Sequence, residues 1–190
     1  LRADAASRTP RSTAIVGSGT IGMLHLLNAV RAGSSVAVIS STGPRAQLAR
    51  DAGAIMVVDR HDASQLRSMT ATFDAVIECA GTEAAWQQSI ALARPAGRVL
   101  FFSGLSSGTQ VALDAERIHY GELHCLGSFH FTPDDVHEAY ELLVHRHLDV
   151  KPLITAVEPL DALAEVFARL DRREGYKYAL VPGPGDARWI

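Results

Sequence analysis

The sequence predicts an α/β fold, a doubly wound six-stranded parallel sheet followed by C-terminal helices and a final strand. Three observations carry this expectation. Six short apolar runs recur between stretches of helical character. The runs are continuous rather than alternating, which suits strands buried on both faces of a parallel sheet. The first run ends in a G-x-G-x-x-G spacing at Gly17, Gly19 and Gly22. Strands alternating with helices favour parallel pairing through crossover connections.

The elements follow in order. Strands are expected at about residues 13–16, 36–39, 54–58, 73–78, 98–102 and 123–127. Helices are expected near 21–32, 44–52, 62–69 and 82–94. Pro95, Ala96 and Gly97 read as a turn into the fifth strand. Beyond residue 131 the pattern changes. Thr132, Pro133, Asp134 and Asp135 start a helix well, with a capping hydroxyl, a proline in the first turn and two acids at the positive dipole end. Val136, Ala139, Tyr140, Leu142 and Leu143 give that helix one apolar face through about residue 146. A second helix is expected over 160–171, with Leu163, Val166, Phe167 and Leu170 facing inward. Residues 176–181 read as the last strand. The Pro182-Gly183-Pro184-Gly185 run then opens a loose tail.

Bulk properties bound the function. A chain of 190 residues suggests one domain or slightly more. Residues 1–12 read as a lead-in, 13–181 as the domain and 182–190 as a tail. A net charge of −3 argues against a nucleic-acid or anionic-membrane surface. No apolar run approaches the roughly 18–20 residues of a membrane span. The two cysteines, Cys79 and Cys125, form no C-x-x-C pair, so reduced thiols in the cytoplasm are expected. The chain starts at Leu1 without a methionine and reads as an excised piece or a processed product.

The glycine-rich stretch Gly17-Ser18-Gly19-Thr20-Ile21-Gly22 carries the chemistry. Gly17 permits a tight turn out of a strand. Gly19 lets the backbone approach a diphosphate with no Cβ in the way. Gly22 lets the following helix pack close to the strand. That helix aims its first N–H groups and its positive dipole end at the phosphates. The expected ligand is therefore a dinucleotide.

The end of the second strand selects between cofactors. An acid there accepts hydrogen bonds from the adenosine ribose and repels a 2′-phosphate. This chain has Ser40, Ser41, Thr42 and Gly43, with Arg45 on the first turn of the next helix. Small hydroxyls beside a cation favour NADP(H). NAD(H) remains the alternative if Arg45 is a solvated helix residue beside a permissive pocket.

At this point the chain resembles the cofactor-binding half of the medium-chain, zinc-type alcohol dehydrogenases, and within them the sorbitol (iditol) and threonine dehydrogenase branch. The resemblance rests on an ordered set of segments. These are 17–22, Arg50-Asp51-Ala52-Gly53-Ala54, Val76-Ile77-Glu78-Cys79-Ala80-Gly81, Arg94-Pro95-Ala96-Gly97-Arg98-Val99 and Ile118-His119-Tyr120-Gly121-Glu122-Leu123. Gly127-Ser128-Phe129, Thr132-Pro133 and Pro152-Leu153-Ile154-Thr155 extend it.

The resemblance implies a Rossmann fold and site roles. Gly17 to Gly22 would hold the diphosphate. Ser40 stands where NAD-dependent relatives usually carry aspartate, and Arg45 matches a basic residue on the adenosine side. Cys79, Ala80 and Gly81 match a loop near ribose and nicotinamide. Ser103, Gly104 and Leu105 match the loop that meets the carboxamide. It further implies hydride transfer between nicotinamide and a secondary alcohol, and a homodimer through the edge of the sixth strand near Leu126 and Phe129. In the family, catalytic zinc and most of the alcohol are held by a separate N-terminal domain, for which this chain has no room. No catalytic residue or metal ligand is therefore assigned here. A zinc-independent enone or quinone reductase of the same superfamily is one alternative, although valine usually precedes the last glycine there. A non-catalytic nucleotide-binding or dimerisation module is the other.

Several tempting residues read more simply. His119, His124, His130, His137, His145 and His147 cluster late in the chain without metal-ligand spacing, and His145 and His147 suit a helix C-terminus. Cys79 reads as a small residue packed beside the cofactor, and Cys125 as inert core. Glu78 reads as a polar strand end under a bound ribose rather than a general base. Trp86 reads as packing.

Overall fold

A computed structural model describes residues 9–182. The expected lead-in up to residue 8 and the tail from residue 183 lie outside the described residues. The chain divides into two compact units, residues 1–133 and 134–190.

The first unit holds one parallel sheet. Its strands are β1 (Ser12–Val16), β2 (Ser35–Ser40), β3 (Met56–Asp59), β4 (Phe73–Glu78), β5 (Ala93–Phe101) and β6 (His124–Gly127). They lie in the order β3-β2-β1-β4-β5-β6, and every pairing is parallel. The strand order reverses between β1 and β4, which opens a crevice at their carboxyl ends. Register lines those ends up. Val16 pairs with Ile39 and Glu78, Ser40 with Asp59, Glu78 with Phe101, and Phe101 with Gly127. A loop leaving any of these strands therefore emerges on the same edge of the sheet.

The helices are α1 (Thr20–Arg31), α2 (Pro44–Asp51), α3 (Ala63–Ser68), α4 (Glu83–Leu92) and α5 (Ala115–Tyr120). Apolar burial explains the sheet. Ala14, Ile15, Val16, Val36, Val38, Ile39, Val58, Val76 and Val99 are all buried, as the unbroken apolar runs predict. At the opposite end of the sheet Asp74 ties three strands together. Its Oδ2 accepts from the Ser12 N–H at 2.9 Å, and its Oδ1 pairs with Arg94 Nε at 2.6 Å.

Two local departures from expectation have clear causes. The fourth helix ends at Leu92, and Ala93 already pairs with Phe73. A residue before proline is pushed out of the helical region, so the helix cannot reach Arg94. The expected turn at Pro95, Ala96 and Gly97 instead lies inside β5 as an irregularity, with Ala96 at a φ of 57°. Helix α5 was not expected. Asp114 caps it by accepting from the Arg117 N–H at 3.0 Å, and the Arg117 guanidinium donates to the carbonyls of Ile90, Ala91 and Ala93.

The second unit contains α6 (Pro133–Val144), β7 (Ile154–Pro159), α7 (Leu163–Asp171) and β8 (Lys177–Val181). β7 pairs parallel with β8. The sequence reading missed β7, because its partner lies beyond a whole helix and its six residues include Pro159. Leu153, Val166 and Val181 are buried here. The expected inward face of α7 is corrected at Phe167, which is 58% exposed, and Leu163 and Leu170 are exposed as well. Only the Val166 position faces the covered side, and the described residues leave the rest of that stripe open. Helix α6 carries its expected apolar face, but none of its residues is buried. Among the described residues no helix is long and apolar enough to cross a membrane.

Candidate functional site

The three glycines meet three different surroundings. Gly17 sits at a φ of +109° and its N–H donates to the Ile39 carbonyl at 2.9 Å. A Cβ on it would lie 3.0 Å from the Ala80 nitrogen and from the Cys79 carbonyl. A Cβ on Gly22 would lie 1.9 Å from the Gly17 oxygen, an impossible contact. Around Gly19 a Cβ would meet nothing within 4 Å. Two glycines are thus required by packing, and the middle one faces open space. Ser18 is buried between them, while Ile21 is exposed. Thr20 begins α1.

The helix ends around this crevice differ in a way that favours anions. In the first unit α3, α4 and α5 are capped by the side chains of Asp62, Thr82 and Asp114. Helices α1 and α2 have glycine caps, Gly19 and Gly43, with no side-chain cap hydrogen bond and no acid in the first turn. These two follow β1 and β2. Their positive ends are left for a ligand to complement.

At the end of β2 the hydroxyls are already engaged. Ser40 is 2% exposed, and its Oγ donates to the Ser41 carbonyl at 2.8 Å. Ser40 has one hydroxyl proton, so the bond between Ser18 and Ser40 must be donated by Ser18. Ser40 therefore ties the glycine loop to β2, and Ser41 and Thr42 are the hydroxyls nearer solvent. Arg45 is half-buried on the first turn of α2. A second cation was missed. The Arg60 N–H donates to the Ser40 carbonyl at 2.8 Å, which places an exposed arginine beside this strand end. Asp59 faces Ser40 in register, and its carboxylate accepts from the His61 N–H at 2.9 Å. The signal for Arg60 was the shared carboxyl end of two neighbouring parallel strands, which brings the residue after β3 next to the last residue of β2.

Across the crevice the loops after β4 and β5 touch. A Cβ on Gly81 would lie 3.4 Å from the Gly104 oxygen and 3.5 Å from the Ser103 Cβ. Gly104 is exposed and Leu105 half-buried. Trp86 stacks on Phe101 with ring centroids 4.0 Å apart, and its indole N–H reaches the Ser103 carbonyl at 3.4 Å. His25 of α1 meets the Phe102 ring edge-on at 4.7 Å, and burial lowers its pKa, which favours the neutral ring. Cys79 is held as a thiol. Burial and the neighbouring Glu78 charge push its pKa up to about 12. Glu78 is fully buried, and its Oε1 accepts from the N–H groups of Ala80 and Gly81, both at 2.7 Å.

The structure thus brings Gly17–Gly22, Ser40, Ser41, Arg45, Cys79–Gly81 and Ser103–Leu105 to one edge of the sheet. Cys125 needs correction. It lies exposed on β6 rather than in the core, because β6 is an edge strand with β5 as its one neighbour in the sheet. His145 pairs with Glu141 at 2.9 Å, one turn back along the chain.

Two predictions follow from these surroundings. Gly22→Ala is expected to cost about 1–3 kcal/mol of unfolding free energy by overpacking, whereas Gly19→Ala costs under about 1 kcal/mol. Equal losses in urea unfolding would contradict the assignment. Glu78 gives the second. Burial raises its pKa, against the opposing pull of the Gly81 and Ala80 N–H groups. The folded chain therefore binds this proton more tightly than the unfolded chain. The linked stability is complete below the ordinary value of 4.5 and is lost as pH rises through the raised value. Glu78→Gln removes this titration, so thermal melts should shift in favour of the variant as pH rises. Parallel pH curves would count against it.

Comparison with known proteins agrees with this geometry. A family model described as zinc-binding dehydrogenase matches residues 20–145. The 2-dehydro-3-deoxy-L-galactonate 5-dehydrogenase of Pseudoalteromonas atlantica is 30% identical over 171 residues, covering 88% of this chain and 50% of that protein. The sorbitol dehydrogenase of Gallus gallus is 27% identical over 180 residues, covering 90% and 50%. A protein of Sinorhizobium meliloti described as a zinc-binding dehydrogenase, solved bound to NADP, superposes with a TM-score of 0.84. It is 27% identical and matches over 90% of this chain and 52% of its own. The chain spans about half the length of these relatives. With two-thirds of its residues inside the matched region and the expected sheet order around the glycine loop, the chain belongs to the zinc-binding dehydrogenase family.

Proposed function

We propose that this chain supplies the dinucleotide side of an NAD(P)-dependent dehydrogenase acting on a secondary alcohol or polyol. The observation that carries this is the open space at Gly19, set between two glycines that packing requires and in front of an uncapped helix end. In this reading Gly17, Ser18, Gly19, Thr20, Ile21 and Gly22 hold the diphosphate. Ser40, Ser41 and Arg45 form the adenosine ribose end. Cys79, Ala80 and Gly81 border the second ribose and the nicotinamide, and Ser103, Gly104 and Leu105 meet the carboxamide. The bound nicotinamide would supply hydride transfer. The residues of this chain bind and orient it. The names of the sugar-acid and sorbitol dehydrogenase relatives support a polyhydroxylated substrate class. Among the described residues no group of three His, Cys, Asp or Glu side chains gathers to hold a metal ion. No step through zinc is therefore derived for these residues.

NADP(H) is the preferred cofactor in this proposal. Ser40 puts no carboxylate against a 2′-phosphate. Arg60 and Arg45 flank the strand end, α2 has an uncapped N-terminus, and a relative was solved with NADP. The chain is further proposed to pair with a second copy through β6, whose four residues, Leu126 among them, are all exposed, as is Phe129 just beyond it at 87%. Two free cysteines fit a cytoplasmic setting.

Fluorescence titration tests the cofactor reading. The chain is expected to saturate with NADPH and, more weakly, with NADH. Gly19→Ala should weaken both. Arg60→Gln should weaken NADPH by roughly 10-fold or more, the worth of a hydrogen bond to a charged group, and leave NADH within about threefold. Absence of saturable binding to either nucleotide would reject the proposal. Light scattering at increasing concentration tests the pairing, and a monomer mass throughout would remove it.

A further inference from the structure

Glu78 is the one acidic or basic residue that is fully buried among the described residues, at 0% exposure. Its position is unusual. It ends β4, the strand beside the reversal in sheet order, and it joins both loops on that side of the crevice. Its side chain holds the first loop, since Oε1 accepts from Ala80 and Gly81 at 2.7 Å each. Its main-chain oxygen holds the second, accepting from Phe102 at 3.1 Å and Ser103 at 3.2 Å. The first loop then presses on the glycine turn, with the Ala80 nitrogen 3.0 Å from where a Gly17 Cβ would be.

This arrangement is costly for folding alone. Oε2 is buried with no hydrogen-bond partner among the described residues. An apolar residue of similar volume would avoid that desolvation. Departures from good packing chemistry of this kind concentrate at functional sites. The carboxyl is buried and turned into its own loop, an arrangement that suits holding the loop.

We propose that Glu78 is a positioning residue, whose carboxyl shapes the 79–81 loop to receive the nicotinamide half of the dinucleotide. This rests on the dinucleotide reading given above. The strand order separates the two halves of the ligand. The adenosine half lies towards β2 and β3, and the other half towards β4 and β5. Glu78 touches only the second side, so its loss should be felt by the whole dinucleotide and not by an adenosine fragment.

The test compares wild type, Glu78→Ala, Glu78→Asp and Glu78→Gln for binding of NADPH and of 2′,5′-ADP, with thermal melts as the folding control. Glutamine keeps an acceptor at the Oε1 position. Aspartate is one methylene too short to reach both N–H groups. Glu78→Ala and Glu78→Asp should weaken NADPH by about 10-fold or more, the scale of a lost pair of hydrogen bonds, with 2′,5′-ADP within about twofold. Glu78→Gln should restore NADPH binding to within about threefold of wild type and recover the fluorescence change of bound nicotinamide. If the alanine variant does not fold, the aspartate variant gives the same comparison. NADPH binding unchanged in the aspartate variant, or equal loss of both ligands, overturns the proposal. Wild type binding neither ligand would instead overturn the dinucleotide reading, and this inference with it.

Discussion

One close approach sets the geometry of the first unit. The Gly22 Cα passes so near the Gly17 carbonyl that a single Cβ would lie 1.9 Å from it. That contact fixes where α1 starts relative to β1, and therefore where its first N–H groups point. Gly17 in turn must turn out of β1 at a positive φ, because the Cys79 carbonyl and the Ala80 nitrogen stand against it. The glycine loop is thus clamped from its helix side and from its β4 side. Gly19, between the clamps, has no neighbour, and this contrast turns a common turn into a shaped cradle.

The cradle is useful because of the sheet beneath it. Parallel pairing aligns the carboxyl ends of β1 to β6, and the reversal between β1 and β4 separates the loops into two groups. Each group is cross-braced. Ser18 and Ser40 join the glycine loop to β2, and Arg60 joins β3 to β2 through the main chain. On the other side Glu78, Trp86 and the Gly81–Gly104 approach lock two loops together. Preorganised loops of this kind reduce the ordering cost of binding.

Much of this was legible in the sequence, and the limits have physical causes. Continuous apolar runs located the six sheet strands, because burial on both faces favours such runs in the inner strands, and the edge strand β6 is short and apolar enough to read the same way although its residues are exposed. The glycine spacing located the cradle, because its constraints are local. What was missed depends on partners distant in sequence. β7 exists through its pairing with β8 across a helix, and α5 is anchored by Arg117 reaching carbonyls 24 to 27 residues away. Arg60 sits 20 residues after Ser40, and only the shared carboxyl end of β2 and β3 makes them neighbours. Cys125 and Phe167 were misjudged for a related reason. An apolar pattern states which residues seek cover, and the described residues do not supply it at β6 or along most of α7.

The distribution of helix caps carries the electrostatic argument furthest. A net charge of −3 gives the chain no general attraction for an anion. Binding a diphosphate then relies on local dipoles, and a carboxylate in the first turn would compete with the ligand for them. Helices α1 and α2 carry neither a first-turn acid nor a capping side chain, and they follow β1 and β2, two of the three strands on the proposed adenosine side of the reversal; α3, after β3, is capped by Asp62. Helix α4 follows β4, where the nicotinamide ring, cationic when oxidised and neutral when reduced, belongs in the proposed site. It is capped by Thr82 and carries Glu83 in its first turn. The two open helix ends are thus those nearest the glycine loop and the end of β2, where the phosphates arrive in the proposed site, whereas α3, α4 and α5 are closed by capping side chains. On the β4 side, specificity must come from main-chain N–H and carbonyl groups held in place, which is the role the buried Glu78 is placed to perform.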